Sequence, residues 1–301
     1  MAAVISFRGF TKRYGAHTAV ESLSLTVERG EAVALLGPNG SGKTTCLKAA
    51  AGLLRPTAGE VLLGDPPRPA GDPPAREVIS FLPQRVSFPD SLSGREVVEF
   101  YRALRGSPPE RTQAVLKFAS LNGAGGRAVA TYSGGMVQRL GLAVAMLPQA
   151  PVLLLDEPTA ALDPDGLCAF YGLVDQRKSE GRTVLFTSHH LGDVERLADR
   201  FALLVGGRLA ASFTQRELAD RLADRGVMRL RFATRLPELL PAVRRLAPRA
   251  VWSGEELIVP GPASQRPAVL DAVREAGAEV RGLTAEEGRL DELYRELVEK
   301  A

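Results

Sequence analysis

The sequence predicts an α/β fold. A core of largely parallel strands and helices carries an antiparallel β subdomain and a helical subdomain, and a small α+β domain follows. Three observations predict this. Short apolar strands alternate with helical segments between Ala32 and Ala211, as in parallel sheets that bind ligands at the strands' C-terminal ends. The stretch GPNGSGKTT (Gly37–Thr45) falls between an apolar strand and a helix. After Ser212 the pattern restarts as a second, shorter alternation without any such loop. The expected domains are therefore 1–212, with a helical subdomain at about 88–147, and 213–301.

Val4–Phe7 and Leu23–Val27 are alternating or β-branched runs separated by polar turns, which suits an antiparallel sheet. Ala32–Leu36 is a buried strand, and the helix after it starts near Gly42 and fades at Gly52–Pro56. Val61–Leu63 and Val78–Leu82 are strands on either side of GDPPRPAGDPP, an exposed loop. From Phe88 to Leu147 the pattern is helical. Strands return at Val152–Leu155 and Thr183–Phe186 around a helix at Gly166–Arg177, and a hairpin closes on Gly206-Gly207. Beyond Ser212, Met228–Phe232, Val251–Val259 and Glu279–Gly282 read as extended. Leu236–Leu246, Ala268–Ala276 and Leu290–Val298 read as helical, a split α+β pattern of ferredoxin-like type.

A net charge of +3 gives no basic surface for direct nucleic-acid binding. The two cysteines, Cys46 and Cys168, belong to no C-x-x-C or Cys/His cluster, so neither a zinc site nor a disulfide framework is expected. No apolar run approaches the roughly 20 residues of a membrane span. The start, MAAVISFRGFTKRYG, lacks the apolar core of a signal peptide. The expectation is a soluble, cytosolic chain without its own transmembrane segment.

The chemistry concentrates in two places. Gly37, Pro38, Asn39, Gly40, Ser41, Gly42, Lys43, Thr44 and Thr45 fit the G-x-x-x-x-G-K-[ST] pattern, whose glycines let backbone N–H groups face phosphate. Lys43 should reach the β- and γ-phosphates of ATP, Thr44 should hold Mg²⁺, and Thr45 the α-phosphate. The plainer alternative is a glycine-rich strand-to-helix turn with an incidental lysine, and the agreement of pattern and context favours the phosphate loop. VLLLDEPTAALD (Val152–Asp163) delivers Asp156 and Glu157 to a strand end, with a turn at Pro158 bringing both carboxylates to the nucleotide. Asp156 suits the Mg²⁺ shell and Glu157 the general base. A third feature, TYSGGMVQRL (Thr131–Leu140), is a second phosphate-seeking helix start, with Met136, Leu140, Ala143 and Leu147 as its apolar stripe.

With these residues in order, the chain resembles the ATP-binding subunits of ABC transporters over roughly residues 3–212 and implies a P-loop ABC ATPase core. Gly37–Thr45 resembles Walker A, and Val152–Glu157 resembles Walker B with its catalytic glutamate. On the same resemblance, Gln84 is the Q-loop glutamine that senses γ-phosphate and Mg²⁺, and Asp163 is the D-loop aspartate. His189, followed by Leu191, Asp193 and Glu195, resembles the switch histidine, with His190 its solvated neighbour. Tyr14 resembles the aromatic that stacks on adenine. Ser133, Gly134 and Gly135 resemble the signature that binds the γ-phosphate of ATP held by another subunit. Tyr132 and Met136 replace the commoner leucine and glutamine, and YSGGM is similar to the ABC-2 type group.

The resemblance implies an ATPase that binds ATP and Mg²⁺ and acts as a head-to-tail dimer. It would drive an integral membrane permease subunit from the cytoplasmic face of the inner membrane. TYSGGMVQRLGLA and RLDELYRELVEK are also similar to the ATPase linked to nitrous-oxide reductase maturation and copper delivery, although two cysteines and three histidines make no evident copper site. The rival reading is a soluble, non-transport ABC ATPase acting on nucleic acid or a regulatory partner. Such proteins usually carry long coiled coils or paired cassettes, and this sequence has neither.

Overall fold

The computed structural model describes residues 3–121, 123–160 and 162–300. Met1, Ala2 and Ala301 of the expected domain spans lie outside those residues, as do Asn122 of the helical stretch and Ala161 of TAALD.

Strands β1 (Ala3–Tyr14) and β2 (His17–Glu28) form one antiparallel hairpin, more than twice the length that apolar alternation suggested. Its outer half buries Phe10, Thr11, Ala19 and Val20 among polar, more exposed residues, and the backbone ladder continues to the pair Tyr14↔His17, because pairing main-chain groups needs no apolar side chain. Residues read as turns are therefore strand. Next comes β3 (Ala32–Leu36), buried at every position, and it feeds the glycine-rich loop and helix α1 (Lys43–Ala50). Strands β4 (Ala58–Leu63) and β5 (Arg68–Pro69) extend the hairpin into an antiparallel sheet of order β2-β1-β4-β5. The proline-rich stretch at 64–74 is exposed as expected except at Ala70, but it contains β5 and the start of α2 (Pro73–Glu77).

Strand β6 (Ile79–Leu82) leads into helices α3 (Gly94–Leu104), α4 (Glu110–Phe118) and α5 (Gly134–Ala145). Ser93 and Glu96 form a reciprocal capping box that fixes where α3 begins. Leu140, Ala143 and Leu147 are buried, Leu147 just past the end of α5, while Met136 is only partly covered. Strand β7 (Val152–Leu155), helix α6 (Pro164–Ser179), strand β8 (Thr183–Thr187), helix α7 (Leu191–Leu197) and the pair β9 (Arg200–Val205) and β10 (Arg208–Thr214) complete the core. Among the described residues the central sheet runs β10-β9-β3-β8-β7-β6, with β9, β3, β8, β7 and β6 mutually parallel. Parallel strands buried on both faces read as short continuous apolar runs, which is why β3, β7 and β8 were visible in the sequence.

Backbone contacts divide the chain between Ser212 and Phe213. The second unit opens with α8 (Gln215–Ala223), started by a Thr214/Glu217 capping box. It continues through β11 (Val227–Phe232), α9 (Leu239–Leu246), β12 (Val251–Ser253), β13 (Glu256–Pro260), α10 (Arg266–Glu275), β14 (Val280–Glu286) and α11 (Leu290–Lys300). The order β12-β13-β11-β14 is that of a ferredoxin-like βαββαβ unit. Its own core gathers Met228, Leu230, Phe232, Leu239, Val243, Leu257 and Val269.

Candidate functional site

The loop after β3 is shaped by glycines that nothing else can replace. Gly37 has φ 146°, and a Cβ there would lie 2.1 Å from the Leu204 carbonyl oxygen. Gly42, which precedes α1, has φ 100°, and its Cβ would lie 2.6 Å from the Ala19 carbonyl oxygen. The loop is thus pinned between β9 and the hairpin. Lys43 folds back over it, with Nζ donating to the carbonyls of Gly37 (2.7 Å) and Pro38 (3.1 Å). Burial holds the Lys43 ammonium below its ordinary pKa, and the nearby Glu157 and Asp156 carboxylates work against that. Ser41 Oγ is buried with no hydrogen-bond partner among the described residues.

Above the loop lies an open cavity of about 470 Å³. Asn39 through Thr45 form its floor, and Tyr14, His17, Gln84 and Glu157 stand around it. Tyr14 is exposed at the end of β1, with Lys12 Nζ 5.2 Å from its ring centroid. The ring is free to take a second planar partner. His17 and Ala19 also line this cavity and were missed from sequence, because their place depends on the hairpin running out to Tyr14.

The carboxylates sit where β7 ends. Asp156 is buried, and its Oδ1 accepts from the hydroxyls of Thr187 (2.7 Å) and Thr44 (3.2 Å). Its Oδ2 has no partner among the described residues. Burial raises the Asp156 pKa, and the adjacent Glu157 pushes the same way against the two hydroxyl bonds. Glu157 itself makes the turn that the sequence assigned to Pro158. Its φ of 51° is left-handed, which breaks the strand geometry just past Asp156, and Glu157 lines the cavity. Such a conformation costs a non-glycine residue on the order of 1–3 kcal/mol and persists only where the surroundings hold it. Thr187 does so, accepting the Glu157 N–H (2.8 Å) while donating to Asp156. Thr187 is the residue before Ser188-His189, and its role had no sequence signal beyond lying at the end of a strand.

His189 Nδ1 lies 2.6 Å from Glu157 Oε2. His190 is exposed, its ring 4.1 Å from that of His189. Both histidines are exposed, and of the two only His189 lies against Glu157.

Gly37, Pro38, Asp156 and His189 do not line the cavity themselves but bond to Lys43, Thr44 and Glu157, which do, whereas Ser133, Gly134, Gly135 and Asp163 neither line it nor bond to its lining. Ser133 is exposed and caps α5, its Oγ accepting the Met136 N–H (3.3 Å). Asp163 caps α6 by accepting the Gly166 N–H (2.8 Å), and it pairs with Arg139 of α5 (3.0 Å). Tyr132 donates its hydroxyl to the Ala124 carbonyl (2.9 Å) and packs over Gly94, where a Cβ would fall 2.2 Å from that hydroxyl. The first N–H groups of α5, which a helix leaves without internal partners, are thus not part of the lining of this cavity.

The described residues contain no group of three or more His, Cys, Asp and Glu side chains poised to hold a metal. A divalent ion that takes most of its ligands from water and substrate phosphates needs only one or two protein oxygens. Thr44 Oγ1 and the partnerless Asp156 Oδ2 fit that demand.

Known proteins bear on this geometry directly. The ABC transporter family profile matches residues 20–160. The daunorubicin resistance ATP-binding protein DrrA3 of Streptomyces coeruleorubidus is 34% identical over 97% of this chain and 95% of its own length. The uncharacterized ABC transporter ATP-binding protein YxlF of Bacillus subtilis (strain 168) is 37% identical, covering 72% of this chain and 73% of YxlF. The Nod factor export ATP-binding protein I of Cupriavidus metallidurans is 33% identical over 85% of this chain and 86% of its own. Among solved structures, the dimeric post-hydrolysis ATP-binding cassette MJ0796, bound to ADP and Pi, superposes with TM-score 0.65 at 26% identity. It covers 70% of this chain and 98% of that one.

Proposed function

The chain belongs to the ATP-binding, ATP-hydrolysing subunits of ABC transporters, and from that premise we propose that it powers an ABC-2 type exporter as a head-to-tail dimer beneath an integral membrane partner. One observation carries this reading. The loop from Asn39 to Thr45 and Glu157 line one cavity, with Asp156 bonded to Thr44 and His189 against Glu157, whereas Ser133, Gly134 and Gly135 are not part of its lining. The cavity thus has donors on one side of a triphosphate, and the exposed start of α5 supplies the complementary donors for a second copy.

Each residue then has a task. Tyr14 stacks on adenine, and the N–H groups from Asn39 to Thr45 surround the phosphates. Lys43 exchanges the carbonyls of Gly37 and Pro38 for phosphate oxygens. Thr44 and Asp156 would hold Mg²⁺, which would neutralise phosphate charge when bound, and Gln84 lines the same cavity as Thr44. Glu157 takes a proton from water as the water oxygen attacks the γ-phosphorus and the bond to ADP breaks. His189 keeps the Glu157 side chain aimed, and the signature of the second copy stabilises the charge on the transferred phosphoryl group. ATP-dependent closure and reopening of the dimer bias the membrane partner, since the two states differ in contacts.

A membrane partner also suits the helical region. Phe100 and Leu104 of α3 are exposed, next to a groove lined by Phe88, Tyr101 and Arg105. No described helix is long and apolar enough to cross a membrane, so attachment at the cytoplasmic face of the inner membrane runs through that partner. Two of the named relatives are named for resistance and export, which favours an exported solute over the copper-related nitrous-oxide reductase maturation considered from sequence. The soluble non-transport alternative loses weight for the same reason.

The test is Glu157→Gln. Hydrolysis should fall at least a hundredfold while ATP still binds, and size-exclusion chromatography with ATP should show a persistent dimer. A variant that stays monomeric at saturating ATP would remove the support for the sandwich.

A further inference from the structure

A buried carboxylate lies behind the reacting groups without touching the cavity. Asp193, in the first turn of α7, is 5% exposed and receives three hydroxyl groups. Thr159 donates to its Oδ2 at 2.5 Å, Ser188 reaches the same oxygen at 3.2 Å, and Tyr171 of α6 donates to Oδ1 at 2.6 Å. Burial and the Asp193 charge push the Tyr171 phenol above its ordinary pKa, so it stays a donor. Ser188 also accepts the His190 N–H at 3.0 Å.

The positions of the three donors give this cluster its meaning. Thr159 lies two residues after Glu157, and Ser188 immediately precedes His189. One carboxylate therefore ties together the two loops whose side chains meet in the 2.6 Å Glu157–His189 contact. Glu157 is held in a left-handed conformation that local sequence does not favour, so its loop needs such an anchor. Tyr171 fastens the same point to α6, the helix that Asp163 caps. Satisfied buried networks of this kind rigidify what they join.

We propose that Asp193 is a positioning residue for hydrolysis: through Thr159 and Ser188 it holds Glu157 and His189 in register, and it contributes nothing to nucleotide binding. The proposal rests on the reading of Glu157 as the general base.

The experiment measures kcat, KM and equilibrium ATP affinity of the full chain for Asp193→Ala, Asp193→Asn and Thr159→Val, with Glu157→Gln as control. Asp193→Ala and Thr159→Val should lower kcat about tenfold or more while KM and ATP affinity stay within about twofold. Asp193→Asn should recover at least roughly half of the lost activity, because its amide oxygen still accepts and the hydroxyls can rotate to accept from its nitrogen. Wild-type kcat in Asp193→Ala overturns the proposal, as does an equal loss of ATP affinity, or an asparagine variant no better than alanine. Should Asp193→Ala fail to fold, Thr159→Val decides, since it removes one hydroxyl at nearly constant volume, and unchanged kcat there overturns the proposal. A Glu157→Gln variant that hydrolyses ATP at the wild-type rate instead overturns the reading of the base itself.

Discussion

At Asp156 two demands meet in one carboxylate. The residue is buried, its pKa is raised chiefly by that burial, and one of its oxygens has no partner. A carboxyl whose folded pKa lies above the ordinary 3.8 contributes most to stability below that value and loses the contribution as pH rises through the folded pKa. At neutral pH its charge therefore costs the nucleotide-free fold stability. Asp156→Asn should raise the melting temperature at pH 7–8 by roughly 2–4 °C and change little below about pH 4, while Mg²⁺-dependent ATPase is lost. Thermal denaturation across pH, without nucleotide, checks this. Equal destabilisation at every pH would mean that the Thr44 and Thr187 bonds outweigh desolvation. Much of this scale was legible: Lys43, Thr44, Asp156, Glu157 and His189 announce themselves by motif. The rest was not, because Thr187 and Asp193 act through distances that only folding creates. Nothing in DEP says that the glutamate, not the proline, makes the turn.

The elements position those residues through a few close approaches. The phosphate loop can lie against β9 only because position 37 lacks a side chain. Gly37→Ala should destabilise the protein by about 2–4 kcal/mol in urea denaturation and weaken ATP binding at least tenfold. A stable variant with normal affinity would show that the loop can shift away from Leu204. The hairpin makes a separate contribution. With Tyr14 at its tip end facing the cavity, Tyr14→Ala should weaken ATP about tenfold, read by equilibrium binding, with kcat at saturation little changed. Strands β3, β7 and β8 were readable as apolar runs. The outer half of β1–β2 and the helix α8 were not, since polar residues interrupt the apolar pattern in one case and only the start of a short helix is marked, by Thr214 and Glu217, in the other.

At the scale of the whole molecule, the cavity lies entirely in the unit that ends at Ser212, and the second unit adds no nucleotide motif. A truncation ending at Thr214 keeps β10 whole and should bind ATP within about threefold of the full chain by equilibrium titration. A larger loss in a folded truncation would assign the second unit a part in binding. The break in pattern at Ser212 was visible in sequence, but the task of the second unit is not written in its side chains. The central claim is that each hydrolytic site is built from two chains, and mixing two inactive variants tests it most directly. Ser133→Arg fills the start of α5 with bulk and charge, and Lys43→Ala removes a phosphate contact, so each alone should abolish turnover. In an equimolar mixture about half of the dimers are mixed, each with one doubly damaged site and one intact site, and roughly a quarter of wild-type hydrolysis should return. If cross-linking confirms mixed dimers and the mixture stays silent, Ser133 serves the cavity of its own chain and the two-chain site is contradicted.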